Sequence, residues 1–157
     1  NQPTMNFGWV TATSGEDRDR AVILHEFGHA LSMIHEHQSP AADGVINWNR
    51  PVVYRAMWDS AGWSARDVDE QIFRRYTRSQ TQFSALDRES IMMYSYPPDW
   101  TIDGFHTPWN SQLSQTDRQF MAGLYPNGAT VPIPKPQSAD GFKNDRDGRR
   151  AAALEDI

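Results

Sequence analysis

The stretch that decides the fold of this chain is residues 25–35, His-Glu-Phe-Gly-His-Ala-Leu-Ser-Met-Ile-His. His25 and His29 are four residues apart, so on an α-helix they lie one turn apart on the same face. Their two imidazoles can therefore bind one tetrahedral Zn²⁺, with Glu26 beside them to act on a water molecule. The spacing predicts a helix that carries two metal ligands and a catalytic carboxylate.

His35 adds a third candidate ligand, but only if the chain turns back. On a continuous helix His35 would lie about 9 Å beyond His29 along the axis and would point well away from it. The pattern therefore predicts that the helix ends soon after Leu31. The chain then doubles back, so that all three histidines share one Zn²⁺.

The same stretch resembles the HExxHxxGxxH zinc motif of the metzincin peptidases, with Ser32 at the position of the motif glycine. Glycine adopts positive φ at no steric cost. A serine in that conformation costs about 1–2 kcal/mol. We therefore expect the turn to form with Ser32 in a strained conformation.

Residues 90–94, Ser-Ile-Met-Met-Tyr, are similar to the Met-turn that follows the zinc helix in metzincins. The resemblance implies that Met92 lies beneath the metal as an apolar floor. It also implies, as in astacin-type enzymes, that Tyr94 is a further zinc ligand that can swing away and hydrogen-bond a developing oxyanion. Taken without the resemblance, both are core side chains, since methionine fills gaps readily.

Two further features resemble the astacin branch of that family. Glu36 directly follows the third histidine, as it does in astacins, where it helps to hold the processed N-terminus. Residues 113–126 resemble the closing helix of the family. The residues after Glu36 differ from those of the astacins, which favours a microbial astacin-like relative.

We predict an α+β fold, a metzincin-like zincin that consists mostly of the zinc helix and the helical lower subdomain. Residues 4–11 alternate as one short strand, and only 24 residues precede His25. One strand cannot form the twisted sheet that metzincins place above the zinc helix, so little of that upper sheet is expected. We predict a peptidase domain at 1–131, incomplete at its N-terminus, and a proline-rich, charged tail or linker at 132–157.

Local signals predict the other helices and their buried faces. Three Ser-x-x-Asp capping boxes, beginning at Ser14, Ser64 and Ser114, predict helix starts, and Asn49 before Pro51 predicts another. An apolar stripe of Leu24, Phe27 and Leu31 on the zinc helix is expected to be core. The isolated histidines His37 and His106 are expected to be solvated surface residues, with a place in the substrate cleft as the alternative for His106.

Composition excludes several classes of function. The net charge of −5, without a basic run, argues against nucleic acid as a partner. No apolar stretch is long enough to span a bilayer, so no membrane partner is expected. The absence of cysteine leaves histidine, carboxylate and tyrosine as metal ligands. The chain begins with neither a signal peptide nor methionine, so we expect a processed or truncated start, and family resemblance implies secretion.

These features together imply a zinc-dependent endopeptidase that acts on protein or peptide substrates, with Glu26 as general base and acid. One open alternative is a gluzincin-like peptidase with a carboxylate as third ligand, for which Glu70 is the candidate. The other is a zinc-stabilised binding module without significant turnover. An unpaired strand and an uncovered helix face also predict that the chain self-associates or binds its own N-terminal segment.

Overall fold

The computed structural model describes residues 5, 7, 10 and 15–126, so the predicted tail at 132–157 lies outside the described residues. Within them the chain is mainly helical. The four α-helices are α1 Glu16–Ala30, α2 Arg50–Ala61, α3 Ala65–Val68 and α4 Gln115–Leu124. A π-helical segment, Asp69–Phe73, continues α3, and short 3₁₀ turns form at Glu36–Gln38, Pro40–Ala42 and Pro98–Trp100.

Extended pairing among the described residues is limited to two isolated antiparallel bridges, Trp48 with Thr101 and Tyr96 with Thr107. The strand predicted at residues 4–11 is wrong where the structure describes it. Met5, Phe7 and Val10 are not in a strand, and Val10 N–H donates to Phe7 O at 3.0 Å, which is a turn contact. Alternating side chains alone do not make a strand, because its backbone groups need a partner strand. The rest of the segment lies outside the described residues.

The capping predictions have two outcomes. Ser64 and Ser114 each cap a helix, α3 and α4, through reciprocal bonds with an aspartate three residues later, so both boxes are confirmed. At α1 the prediction is wrong, because the N-cap is Gly15 without a side-chain cap bond. Asp17 instead pairs with Arg20 at 2.6 Å, and Ser14 lies outside the described residues.

The larger core fixes α2 against the region that follows it. Most of its buried residues come from α2, from α3 with the π-helical segment, and from residues 93–100, and Ala42, Ile46 and Trp63 complete it. The central members are Val53, Met57, Trp63, Val68, Ile72, Phe73, Met93, Tyr96 and Trp100. The α2 prediction from Asn49 and Pro51 is thereby confirmed, with Asn49 as N-cap.

A smaller core packs α1 on the segment that contains Met92. Ala21, Ile91 and Met92 are buried there, with Leu24 packed against them. The other two residues of the predicted apolar stripe, Phe27 and Leu31, are 51% and 42% exposed, so that part of the prediction is wrong. Nothing in the described part of the chain covers those two side chains fully.

No helix within the described ranges combines the length and the apolar character needed to cross a bilayer.

Candidate metal centre

The turn that ends α1 brings the chain back toward the helix. Met33 N–H donates to Gly28 O at 2.9 Å and Ser32 N–H donates to His29 O at 3.0 Å. This bond pair is the Schellman arrangement, which requires a left-handed residue just beyond the helix. That residue is Ser32, with φ 72°, so the strained serine turn predicted from the sequence is confirmed.

The turn brings His25, His29 and His35 together. One ring nitrogen from each of the three lies within 4.8 Å of those of the other two. Nε2 of His29 and Nε2 of His35 are 3.0 Å apart, and the ring centroids of His25 and His35 are 5.2 Å apart. The third histidine thus lies beside the first two, as the spacing predicts.

Each of the three imidazoles directs its Nδ1 to an oxygen atom. The pairs are His25 with Ile91 O at 2.8 Å, His29 with Met33 O at 3.0 Å, and His35 with Gln38 Oε1 at 3.3 Å. A carbonyl oxygen can only accept, so each Nδ1 carries the proton and donates. The tautomer that remains leaves a lone pair on every Nε2.

Burial keeps two of these rings neutral. It lowers the pKa of His25 to about 3 and the pKa of His35 well below its usual value, with neighbouring histidines adding to both shifts. Both groups are therefore uncharged at neutral pH. Neutral imidazole is the form that binds a metal ion.

The residues present fit a zinc ion. Two Nε2 lone pairs that face each other at 3.0 Å repel, and a cation between them turns that repulsion into attraction. Two ligand atoms on a tetrahedral zinc ion lie about 3.3 Å apart. The His29 and His35 nitrogens are 3.0 Å apart, and all three ligand atoms lie within 4.8 Å of one another. An all-imidazole donor set also suits zinc better than calcium or magnesium, which prefer oxygen.

Glu26 and Tyr94 lie at a solvent-open cleft beside His25. His25, Trp109 and Asn110 also line it. The ring centroid of Tyr94 is 4.2 Å from that of His35. The predicted catalytic carboxylate and tyrosine thus border the same cleft as His25.

Met92 is fully buried and packs beneath α1 at Gly28. A Cβ atom added to Gly28 would collide with the Met92 sulphur. The backbone around Met92 also supports the histidines, since Ile91 O accepts from His25 and Met92 O accepts from Glu36 N–H at 2.9 Å. The segment predicted as a Met-turn therefore lies against the helix that carries the first two histidines.

Asp117 anchors this segment, a role that sequence reasoning missed. Its carboxylate is buried and accepts from Ser90 Oγ at 2.7 Å and from Ile91 N–H at 2.9 Å, while it also accepts from Ser114 N–H at the cap of α4. The sequence showed only the capping box. No local signal indicated that the same carboxylate reaches residues 90 and 91.

The predicted surface position of His37 is wrong. It was expected on the surface, but it is fully buried, and burial lowers its pKa to about 3. Its Nε2 donates to Gln71 O at 3.0 Å, and its ring centroid is 4.6 Å from that of Tyr94. His106 is exposed, as predicted.

Two acidic residues for which the sequence suggests a role, Glu36 and Glu70, lie outside the histidine group. Glu36 is half-buried, its Oε1 accepts from Asp87 N–H at 2.9 Å, and burial raises its pKa to about 7, helped by the charges of Asp87 and Asp117. The carboxylate of Glu70 is exposed and pairs with Arg66 at 3.1 Å. Glu70 is therefore not placed as a third ligand.

Comparison with known proteins gives two solved structures of myroilysin, whereas no protein-family model and no curated protein matches the chain. The first has 43% sequence identity and a TM-score of 0.73, and the match covers 80% of this chain and 60% of that chain. The second has 45% identity and a TM-score of 0.50, with 80% and 55% covered. The chain thus spans little more than half the length of the myroilysin chains that it matches. The similarity is consistent with a relationship to a metalloprotease.

Proposed function

We propose that this protein is a zinc-dependent endopeptidase of astacin-like metzincin type, with the α+β zincin fold of that group. The observation that carries the proposal is the convergence of one ring nitrogen from each of three histidines, whose Nδ1 atoms each bond an oxygen acceptor. The similarity to myroilysin, a metalloprotease, supports it from a separate direction.

His25, His29 and His35 would hold the zinc ion, with Tyr94 as a further ligand and Met92 as the apolar floor. When bound, zinc supplies a Lewis acid that polarises a carbonyl and lowers the pKa of water toward about 7. The chain contributes a preformed donor set, since the three tautomers are fixed by Ile91 O, Met33 O and Gln38 Oε1. Such fixed outer partners raise ligand basicity and orient the rings.

Glu26 would accept a proton from the attacking water and later deliver it to the departing amine. It is half-buried at the cleft beside His25, so a water molecule there is within its reach. One carboxylate that serves as base and then as acid suffices for peptide hydrolysis. Tyr94, which lines the same cleft, would donate its hydroxyl to the oxyanion that develops on the substrate carbonyl.

Protein or peptide substrates fit the cleft, which is open to solvent and has both apolar and polar walls. Trp109 and Met93 give the wall apolar surface, whereas Ser95 and Asn110 provide hydrogen-bonding groups. The family resemblance further supports a secreted enzyme.

The test is to measure zinc content and hydrolysis of an unfolded protein substrate with the full chain and two variants. Glu26→Gln and Tyr94→Phe should both retain zinc, because three histidines remain. Glu26→Gln should lower kcat by about 10²–10⁴ through loss of the general base. Tyr94→Phe should lower kcat by about 10²–10³, the effect of one oxyanion donor. Glu89→Gln, at an exposed glutamate, is the matched control and should change neither quantity.

Two results would contradict the proposal in different ways. A wild-type chain that binds zinc but does not hydrolyse peptides indicates the zinc-stabilised binding module. A zinc content that falls in a Glu70→Gln variant but not in a His35→Ala variant indicates the gluzincin-like ligand set.

A further inference from the structure

We propose that Gln38 is a positioning residue for His35, the third histidine ligand. Two backbone carbonyls of the π-helical segment orient the Gln38 amide, and the amide in turn fixes the tautomer of His35. The inference rests on the proposed metal site and goes beyond it, because it assigns a role to a residue outside the ligand set. Nothing in the sequence pattern singles out this glutamine.

The π-helical segment ends with backbone carbonyls that need donors from elsewhere. Arg74, with ψ 138°, leaves the helix directly after Asp69–Phe73. The last carbonyls of a helix have no intrahelical partners and must find other donors. Glu70 O accepts from Gln38 Nε2 at 2.9 Å, and Gln71 O accepts from Gln38 Nε2 at 3.1 Å.

These two bonds decide which way the Gln38 amide faces. Backbone carbonyls only accept, so the amide nitrogen and not the oxygen must face Glu70 and Gln71. The reversed amide would place three oxygen atoms against one another. Gln38 is buried, and water is therefore not available to relieve that contact.

The amide orientation in turn decides the tautomer of His35. With the nitrogen committed to the helix end, Gln38 presents only Oε1 to His35, at 3.3 Å from its Nδ1. An oxygen acceptor requires the proton on Nδ1. His35 is therefore held with its Nε2 lone pair toward His29, in the form that a metal ion needs.

Backbone contacts hold Gln38 itself in place. Tyr76 N–H donates to Gln38 O at 2.9 Å, and Gln38 N–H donates to His35 O at 3.0 Å. His37 adds a further bond to the same helix end, from its Nε2 to Gln71 O at 3.0 Å. The short turn after His35 is thus fastened to the π-helical segment from both the backbone and the side chains.

The two ends of the Gln38 amide can be separated by substitution. Gln38→Met keeps the length of the side chain but removes both the donor and the acceptor. Gln38→Glu keeps an oxygen acceptor for His35 and loses the amide donors to the two carbonyls. Gln119→Met, at an exposed glutamine on α4, is the matched control.

The first measurement is zinc affinity of the full chain by competition with a chelator. Gln38→Met should bind zinc about 10–100-fold more weakly than the wild type, the usual loss for an outer partner of a ligand. Gln38→Glu should bind zinc more tightly than Gln38→Met, because it keeps the oxygen acceptor that positions His35. This order should hold even though the folded state of Gln38→Glu is less stable. A purely structural role predicts the reverse order, with zinc affinity following thermal stability. That order, or wild-type affinity in a folded Gln38→Met, would overturn the proposal.

The second measurement is the tautomer of His35, from ¹⁵N shifts of labelled histidine in the metal-free full chain. The wild type and Gln38→Glu should carry the proton on Nδ1, and Gln38→Met should lose that preference. A wild-type His35 protonated on Nε2 overturns the proposal even if Gln38→Met fails to fold. This readout needs neither zinc nor turnover. A wild type that binds no zinc would therefore disprove the proposed function, while the ¹⁵N shifts would still show whether Gln38 sets the tautomer of His35.

Discussion

The two faces of α1 have the same periodic spacing but very different environments. On one face, Ala21 and Gly28 are buried and His25 Nδ1 donates to Ile91 O. On the other, Phe27 and Leu31 are 51% and 42% exposed. Periodicity shows which residues share a face, but the face that is covered is decided by segments far along the chain.

The partners of the two faces differ in kind. The histidine face packs on residues 91 and 92, which Asp117 anchors through hydrogen bonds. Among the described residues, the opposite face contacts the ring of Phe7, 6.3 Å from that of Phe27, and Tyr125 OH donates to Leu31 O at 3.3 Å. Self-association or binding of the N-terminal segment stays a prediction.

The largest expected difference between the faces is in metal binding. His25→Ala and His35→Ala should each abolish stoichiometric zinc binding, because each removes one of three lone pairs from the group. Phe27→Ala, on the opposite face, should leave zinc content unchanged. Zinc content by atomic absorption, after dialysis against metal-free buffer, measures all three. Near-normal zinc in His35→Ala would falsify the three-histidine site.

A smaller difference is expected when a methyl group is added to the covered face. Alanine normally stabilises a helix interior relative to glycine by about 0.5–1 kcal/mol. At Gly28 the new methyl group meets the buried Met92 sulphur, and such overpacking typically costs about 1–3 kcal/mol. Gly28→Ala should therefore lower the free energy of unfolding.

Gly123→Ala on α4 is the control for that result. Nothing lies within 4 Å of the added atom, so this variant should follow helix propensity and raise the free energy of unfolding. Denaturant titration measures both variants. Equal stabilisation by the two substitutions would show that Met92 does not pack against Gly28.

The smallest expected effect concerns the turn that returns His35 to the histidine face. Ser32 has φ 72°, and Ser32→Gly should raise the free energy of unfolding by about 1 kcal/mol or less, since relief of strain is partly offset by the freedom of glycine in the unfolded chain. Gly62, with φ 65° at the end of α2, provides the reverse test. Gly62→Ser should lower the free energy of unfolding by a similar amount, which is seen as a lower melting temperature. A lower melting temperature in Ser32→Gly would mean that serine is relaxed in this turn.

Local sequence signals predicted several elements of the fold correctly. The capping boxes at Ser64 and Ser114 were readable because both partners of each bond lie within four residues. The strand at residues 4–11 failed at its described residues, because a strand depends on a partner elsewhere. The turn at Ser32 was predictable for a geometric reason, since His35 cannot approach His29 unless the helix stops.

The outer parts of the site could not be predicted in the same way. Gln38, His37 and Asp117 each act through partners more than 25 residues away, at Gln71 or Ser90. Their neighbours in sequence are polar loop residues or a helix cap, which is the pattern of a surface. The burial of His37 was therefore missed.

By itself the sequence determined which three imidazoles could share an ion, because a helix and one tight turn leave few geometries for the spacing of His25, His29 and His35. Only the tertiary structure decided which nitrogen of the His25 and His35 rings faces the centre, whereas the local turn decides it for His29 through Met33 O. Ile91 O decides it for His25 and Gln38 Oε1 for His35, and Gln38 is itself oriented by a helix end more than thirty residues away. Side-chain spacing is a local property of the chain, whereas the direction of a hydrogen bond depends on every segment that packs around it.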